Sequence, residues 1–187
     1  MSDITERKII EEIQCWISEV VIKHNFCPFA HKPFKQKRIR YFVASAQQES
    51  DLVDDLIDEL LGLAEADPED FETSIFIIPD CLQEFVDYNQ FIDVIDEILK
   101  HTSLKSIIQV ATFHPAYRFS GSDAEDVRNY TNRSPYPMFH LIREDSVEKA
   151  RQTYSEVESI PRKNMTVLEV LGLETIRAQL KACKEKD

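Results

Sequence analysis

Strand-like and helix-like patterns alternate along this chain, and no other feature limits its fold as much. Residues 38–44 alternate apolar and polar side chains, residues 74–78 are a short continuous apolar run, and residues 106–112 are rich in β-branched side chains. Between these stretches, residues 51–65 and 81–99 carry apolar side chains at helical spacing. Strands separated by helices favour crossover connections, and therefore a mostly parallel sheet with helices packed on it.

Residues 137–143 predict a fourth strand, which could pair antiparallel at an edge of the sheet. Further helices are predicted over residues 5–23, 146–154 and 164–182, the last of them interrupted near Gly172. The first of these should stop near His24 and Asn25, because asparagine tolerates the left-handed backbone at a helix end. The predicted fold class is α/β, with a single-domain, mostly parallel or mixed four-stranded sheet and helices packed on it. The alternative is a ferredoxin-like α+β sandwich. With 187 residues, of which 43% are hydrophobic, residues 1–187 are expected to form one globular domain.

The net charge of the chain limits the kinds of partner that it can bind. The formal net charge is −12, which disfavours nucleic acid and anionic membrane surfaces, because both attract basic protein surface. No apolar run approaches the roughly 18 residues of a membrane span, and residues 1–12 are typical of a charged helix start rather than a signal peptide. We therefore expect a soluble, cytoplasmic protein that binds neither nucleic acid nor membranes. The sequence specifies no cofactor and no oligomeric state.

Glycine and cysteine usage exclude several kinds of site. The chain has three widely separated glycines, whereas phosphate-binding loops and dinucleotide fingerprints need clustered ones. A P-loop NTPase and a standard Rossmann cofactor site are therefore excluded. The four cysteines contain no CxxC pair, which argues against a zinc ribbon or a dithiol motif. In a cytosolic chain they are expected to be reduced, independent thiols.

Residues that can carry chemistry concentrate in residues 111–144, between the third and fourth predicted strands. This stretch contains two His, four Arg and three Tyr. A loop of about 20 residues without an evident helix or strand is long for a compact domain, and such loops are usually functional or disordered. Its aromatic residues favour order. In α/β sheets, sites gather at the carboxyl ends of strands, which is where His114 lies.

Within residues 111–144, His114 and His140 are candidates for general acid and base, because imidazole titrates near neutral pH. His140 has an alternative interpretation as a hydrogen-bonded core residue. Arg118 and Arg133 are candidates for holding a phosphate or carboxylate through paired N–H donors. The other candidate substrate-binding residues are Asn132, Ser134 and Tyr136.

Cys27 lies outside the loop and is the remaining candidate catalytic residue. It is predicted to cap a short helix with Pro28 at its first position, where free N–H groups and the positive helix end would favour the thiolate. The alternative is a buried thiol packed between Phe26 and Phe29, because free cysteines are commonly core residues.

Three stretches agree, in order, with one known family. They are residues 25–30 (NFCPFA), residues 113–115 (FHP) with Arg118 and Phe119, and residues 132–137 (NRSPYP) through His140, and Trp16 also fits. On these residues the chain resembles, over nearly its whole length, a bacterial and plant family catalogued as a domain of unknown function and numbered fourteen-fifteen. The resemblance implies a soluble single-domain protein of this length and carries no activity to this chain.

Three functions remain open. The preferred hypothesis is a small cytosolic enzyme acting on an anionic small molecule, with His114 as acid or base, arginine clamps, and Cys27 as a nucleophile or ligand. The second is a metal-binding protein using His114 and His140, with or without Cys27, although HxH and HExxH spacings are absent. The third is a non-enzymatic interaction module, in which acidic helices meet a basic partner and the loop is a rigid structural plug.

Overall fold

The computed structural model describes residues 3–153 and 157–185, and in that part of the chain four strands form one mixed sheet. The strands are β1 (Ile39–Val43), β2 (Thr73–Ile77), β3 (Ile108–Phe113) and β4 (Met138–Arg143). Their order across the sheet is β1-β2-β4-β3. β1 and β2 are parallel, and β4 is antiparallel to both of its neighbours. The predicted α/β fold with a mixed four-stranded sheet is confirmed.

Seven α-helices pack around the sheet within the described residues. They are α1 (Asp3–Trp16), α2 (His31–Lys35), α3 (Glu49–Glu65), α4 (Phe85–His101), α5 (Glu144–Thr153), α6 (Ile160–Leu171) and α7 (Leu173–Lys184). α1 continues into a π-helical segment, Ile17–Ile22, and the helical run stops before Asn25, whose φ of 55° is left-handed, as predicted. Gly172, with a φ of 77°, separates α6 from α7, also as predicted. None of the described helices is both long and apolar enough to cross a membrane.

Two predicted helix boundaries are wrong. The helix predicted from residue 81 begins at Phe85, because Leu82 has a left-handed φ of 52° and the residues before Phe85 form a loop. α6 begins earlier than predicted, at Ile160, with a proline in its first turn, where its missing N–H leaves no hydrogen bond unmade. The predicted end of the preceding helix, at residue 154, lies outside the described residues.

β4 is antiparallel, as predicted, but its predicted place at an edge of the sheet is wrong. It lies between β2 and β3 and pairs with both. The buried Tyr88 hydroxyl holds this arrangement, because it donates to the Met138 carbonyl oxygen (2.8 Å) and accepts from the Phe113 N–H (2.9 Å). The ferredoxin-like alternative is also wrong. That fold joins its second and third strands directly, whereas α4 lies between β2 and β3 here.

Side chains on the two faces of the sheet pack into two separate cores. Phe76 and Phe139 pack with α3 and α4 in the first core. Ile75 and Met138 pack with α1, α6 and α7 in the second core. Successive residues of a strand point to opposite faces, so neighbours on each central strand belong to different cores. β2 is buried at every position because helices cover both faces of the sheet.

Replacing Phe139 by alanine is expected to lower the free energy of unfolding by about 3–5 kcal/mol. Phe139 is 0% exposed, and its ring centroid lies 4.9 Å from that of Tyr88 and 6.0 Å from that of Phe91. The truncation therefore leaves a cavity in the first core. Urea unfolding at neutral pH measures the change. Val170→Ala, at a position that is 84% exposed, is the control and should shift stability by less than about 0.5 kcal/mol; equal losses in both variants would contradict this packing.

Candidate functional site

Residues 114–137, which join β3 to β4, form a loop that contains one short 3₁₀ helix, Val127–Thr131, and has many internal hydrogen bonds. Arg133 donates from Nε to the Tyr117 carbonyl oxygen (3.2 Å) and from Nη2 to the Ala124 carbonyl oxygen (2.7 Å). Its guanidinium also lies 4.6 Å from the ring centroid of Tyr130, in cation–π geometry. Arg133 thus ties together three parts of the loop.

The other predicted substrate-binding residues of the loop also make internal contacts. Asn132 donates from Nδ2 to a carbonyl oxygen of β3 (3.0 Å), and the buried Ser134 hydroxyl donates to the Tyr136 carbonyl oxygen (2.6 Å). The Tyr136 hydroxyl donates to Glu12 Oε2 on α1 (2.6 Å), and burial together with that carboxylate raises the pKa of Tyr136. Arg118 differs from these residues, since it is exposed. Its role in anion binding stays a prediction.

His114 is buried on the face of the sheet that α4 covers. Its ring centroid lies 4.9 Å from that of Tyr88 and 5.4 Å from that of Phe85. Nδ1 accepts a hydrogen bond from the Ala116 N–H (3.0 Å), so Nε2 carries the proton and donates to the Leu82 carbonyl oxygen (3.1 Å). Burial lowers the pKa of His114, against the opposing effect of nearby backbone carbonyls. His114 therefore joins the end of β3 to the loop before α4, and its role in acid–base catalysis stays a prediction.

His114 and His140 lie on opposite faces of the sheet, so the structure does not bring these two predicted metal ligands together. His114 contacts the first core through α4, whereas His140 lies on the face of the second core. In residues 3–153 and 157–185, no group of three or more His, Cys, Asp or Glu side chains is arranged to hold a metal ion. Cys27 and His140, by contrast, line the same cavity.

A cavity of about 460 Å³, here called the sheet cavity, lies between the sheet and the helices of the second core. Its wall is mostly apolar. It comes from the first helix, the turn before α2, the sheet, α5 and α6, and from the loop between β3 and β4, where Asn132 is a lining residue. The large apolar residues of the wall include Trp16, Phe26, Ile75, Phe113, Met138 and Met165. A few polar side chains also reach it, among them Cys27, Thr73, His140 and Asn164. An apolar cavity with a few convergent polar groups is the usual form of a small-molecule site.

His140 is the central polar group of the sheet cavity. It lies in the middle of β4, opposite Ile75 on β2 and Ala111 on β3. Its Nε2 is 2.7 Å from Thr73 Oγ1, and the Thr73 hydroxyl donates to the Leu141 carbonyl oxygen (2.5 Å). Since that hydroxyl has one hydrogen, His140 donates from Nε2, and its Nδ1 keeps a lone pair. Burial lowers the pKa of His140 to about 4, so the ring is neutral at pH 7.

Cys27 lines the sheet cavity from the turn between the first helix and α2. The prediction that Cys27 caps a helix starting at Pro28 is wrong, because α2 begins at His31 and the Ala30 N–H donates to the Cys27 carbonyl oxygen (3.1 Å) in a turn. The N–H groups of Phe29 and Ala30 do favour the thiolate, but burial outweighs them and raises the pKa of Cys27. The thiol is therefore neutral at pH 7, although its side chain is only half-buried.

Two polar residues at the cavity belong to no motif and are not predicted from the sequence. Thr73 orients His140 through the hydrogen bond between them. Asn164 donates from Nδ2 to the Phe26 carbonyl oxygen (2.8 Å), and so ties α6 to the turn that carries Cys27. The alternation of side chains along a strand decides only which face of its own strand each residue lies on. The register between β2 and β4 then places Thr73 next to His140.

Replacing His140 by asparagine is expected to make stability less dependent on pH between about pH 4 and pH 6.5. The folded-state pKa of about 4 lies below the ordinary value of about 6.5, so within this window the unfolded chain binds a proton that the folded protein does not. Stability due to His140 is complete above about pH 6.5 and is lost as the pH falls toward 4, by up to about 3 kcal/mol. Asparagine does not titrate, so this contribution is absent from the variant.

Urea unfolding at several pH values across this window measures the effect of the substitution. His101→Asn, at an exposed position of α4, is the matched control and should keep the wild-type pH dependence. If His140→Asn loses stability on acidification as steeply as the wild type, the lowered pKa of His140 is not the cause of that loss.

Alkylation of Cys27 by iodoacetamide is expected to be slow at pH 7. Its rate should rise with pH, and the midpoint of that rise should lie above the ordinary thiol pKa of about 8.5. The reason is that burial raises the pKa of this thiol. Peptide mass spectrometry follows Cys27 separately from the other cysteines, and the same peptide in urea-unfolded protein is the control. A midpoint in the folded protein below that of the unfolded control would show an activated thiolate instead.

One protein family matches most of this chain. Its model, described as a protein of unknown function (DUF1415), matches residues 8–178, which include every stretch on which the resemblance rests. No curated protein and no solved structure matches the chain. The chain therefore belongs to the DUF1415 family.

Proposed function

We propose that this protein binds a small, uncharged and largely apolar molecule in the sheet cavity. The observation that carries the proposal is the cavity itself, about 460 Å³ in volume, with a mostly apolar wall and a few polar groups. Small-molecule sites in proteins commonly have volumes of roughly 300–1,000 Å³ and this composition. Strands and helices build most of the wall, so much of the site is in place before a ligand binds.

The charge of the wall supports an uncharged ligand. No Lys or Arg is among the residues of the described chain that line the cavity. His140 and Cys27 are both neutral at pH 7, since burial lowers the pKa of the one and raises the pKa of the other. The carboxylate of Glu72, which also lines the cavity, already has Arg38 Nη2 at 3.4 Å. An anion would lose its hydration there without gaining a cationic partner.

The polar groups of the cavity support a ligand that carries a hydrogen-bond donor. His140 is partly accessible although it lies on an inner strand, so its accessible part faces the cavity. Nε2 is occupied by Thr73, which leaves the Nδ1 lone pair to accept a hydrogen bond. The Cys27 thiol adds a weak donor on the same wall. An aromatic amine or a long-chain alcohol has the required combination of apolar body and single donor.

Binding rather than catalysis is the function that these groups support best. In the loop, Arg133 donates from Nε and Nη2 to backbone carbonyls, and both ring nitrogens of His114 are hydrogen-bonded. These groups therefore already have partners within the protein. Cys27 and His140 remain available for chemistry on a bound molecule. A nucleophilic thiol, however, needs a lowered pKa, and burial raises that of Cys27.

The uncharged amine N-phenyl-1-naphthylamine is expected to bind the protein saturably and to accept excitation energy from Trp16. Trp16 is the single tryptophan of the chain and lines the sheet cavity. Quenching of its fluorescence by the bound probe therefore reports on this site. Ala111→Phe should weaken binding by about tenfold or more, because its side chain lies opposite His140 and would fill the cavity. Ala178→Phe, at an exposed position of α7, is the matched control and should bind as the wild type does.

Competition against the bound fluorophore tests the charge of the ligand. 1-Decanol is expected to displace the probe at lower concentration than decanoate, which has the same chain length and a negative charge. Thermal unfolding of each variant establishes that it is folded. Absence of saturable binding in the wild type, or unchanged binding in Ala111→Phe, would overturn the cavity as the site. Stronger displacement by decanoate would overturn the uncharged ligand alone.

A further inference from the structure

Cys15 and Cys183 meet in the structure although 168 residues separate them along the chain. Their Sγ atoms are 2.8 Å apart, which is closer than sulfur atoms in ordinary non-bonded contact. Cys15 lies near the end of α1, and Cys183 lies in the last turn of α7. All four thiols are free in this structure, as expected, but Cys15 and Cys183 are not independent of each other.

We propose that Cys15 and Cys183 are a redox-active pair that closes into a disulfide joining the first helix to the last. The two helices already pack on each other, since the buried side chains of Ile13 and Ile176 belong to the same core. The bond therefore forms between elements that are in place, without a change of fold. This inference does not rest on the proposed small-molecule ligand.

The other two cysteines have different surroundings. The Cys81 thiol is buried and donates to the Ala46 carbonyl oxygen (3.2 Å), on the far side of the sheet in the first core. Cys27 lines the sheet cavity. Neither cysteine lies at the contact between α1 and α7, so the proposed disulfide joins Cys15 to Cys183.

Cys15 is the thiol that a small oxidant reaches first. It is partly exposed, whereas Cys183 is 1% exposed. Cys15 lines a surface groove whose other residues are Lys8, Gln14, Ser18 and the three glutamates Glu11, Glu12 and Glu19. With a small disulfide such as oxidised glutathione, the Cys15 thiolate attacks one sulfur, forms a mixed disulfide and releases one glutathione thiolate. The Cys183 thiolate then attacks Cys15 Sγ and releases the second.

This exchange balances in atoms and electrons. The two protein thiols lose two electrons and two protons, one S–S bond forms between Cys15 and Cys183, and the S–S bond of glutathione disulfide breaks. Glutathione disulfide gains the two electrons, and the two protons end on the two released glutathione thiols. Reduced glutathione in excess reverses the same steps, so the ratio of the two forms sets the state of the pair.

The proposed bond restricts almost the whole chain. It encloses a loop of 168 residues, which includes every strand of the sheet. A cross-link that closes a long loop reduces the freedom of the unfolded chain more than one that closes a short loop. The oxidised protein is therefore the more stable form, with α1 held against α7.

The intact protein, equilibrated with mixtures of reduced and oxidised glutathione, tests this proposal. We expect a monomer that has lost two hydrogen atoms by mass spectrometry, and a non-reducing peptide map that links the Cys15 peptide to the Cys183 peptide. The midpoint of thermal unfolding should rise by about 5–15 °C on oxidation, which is the usual effect of a disulfide on a chain of this size.

Three cysteine variants separate this pair from the other thiols. Cys15→Ser and Cys183→Ala should each lose both the cross-linked peptide and the rise in midpoint, whereas Cys27→Ser should keep both. In the wild type, a stable glutathione adduct on Cys15, a disulfide-linked dimer, or equal midpoints for oxidised and reduced protein would each overturn the proposal. These readouts do not depend on ligand binding, so they stand apart from the test of the sheet cavity.

Discussion

β4 holds the sheet together, because it is hydrogen-bonded to β2 along one side and to β3 along the other. Tyr88 supports this position from α4, where its hydroxyl bridges the Met138 carbonyl oxygen and the Phe113 N–H. The register of β4 sends Phe139 into the first core and His140 toward the second. A shift of one residue would exchange these faces, placing an imidazole in the first core and a phenyl ring in the cavity. Both cores therefore depend on this one strand.

The loop that carries the chain from β3 into β4 needs many hydrogen bonds, since buried backbone groups must be paired. Polar side chains provide them. The buried Asn129 accepts from the Phe119 N–H (3.1 Å) and donates to the Asp123 carbonyl oxygen (2.8 Å), while Arg133 bonds to two further carbonyls. A dense group of polar residues is typical of a site, and it is equally typical of an ordered loop without regular backbone pairing. Contacts, rather than composition, distinguish the two.

The sheet cavity has a different chemistry from the loop. Desolvation acts on two titratable groups of its wall, His140 and Cys27, in the same sense, because it disfavours the charged form of each. The hydrogen bond from His140 to Thr73 then determines which ring nitrogen keeps its lone pair. The result is a mostly apolar space in which His140 and Cys27 are neutral and the Glu72 carboxylate is paired with Arg38. This combination is the physical basis for proposing an uncharged ligand.

Local patterns in the sequence were enough to predict the α/β class, the strands, the left-handed Asn25 and the break at Gly172, because periodicity and backbone preference act over a few residues. They also marked Cys27 and His140 as candidates. The interior place of β4 was not predictable, since the same apolar alternation suits an edge or an inner strand. The separation of His114 from His140, the shared cavity, and the contact of Cys15 with Cys183 across 168 residues arise from register and helix packing. Such contacts depend on which faces meet in space, and no local pattern encodes them.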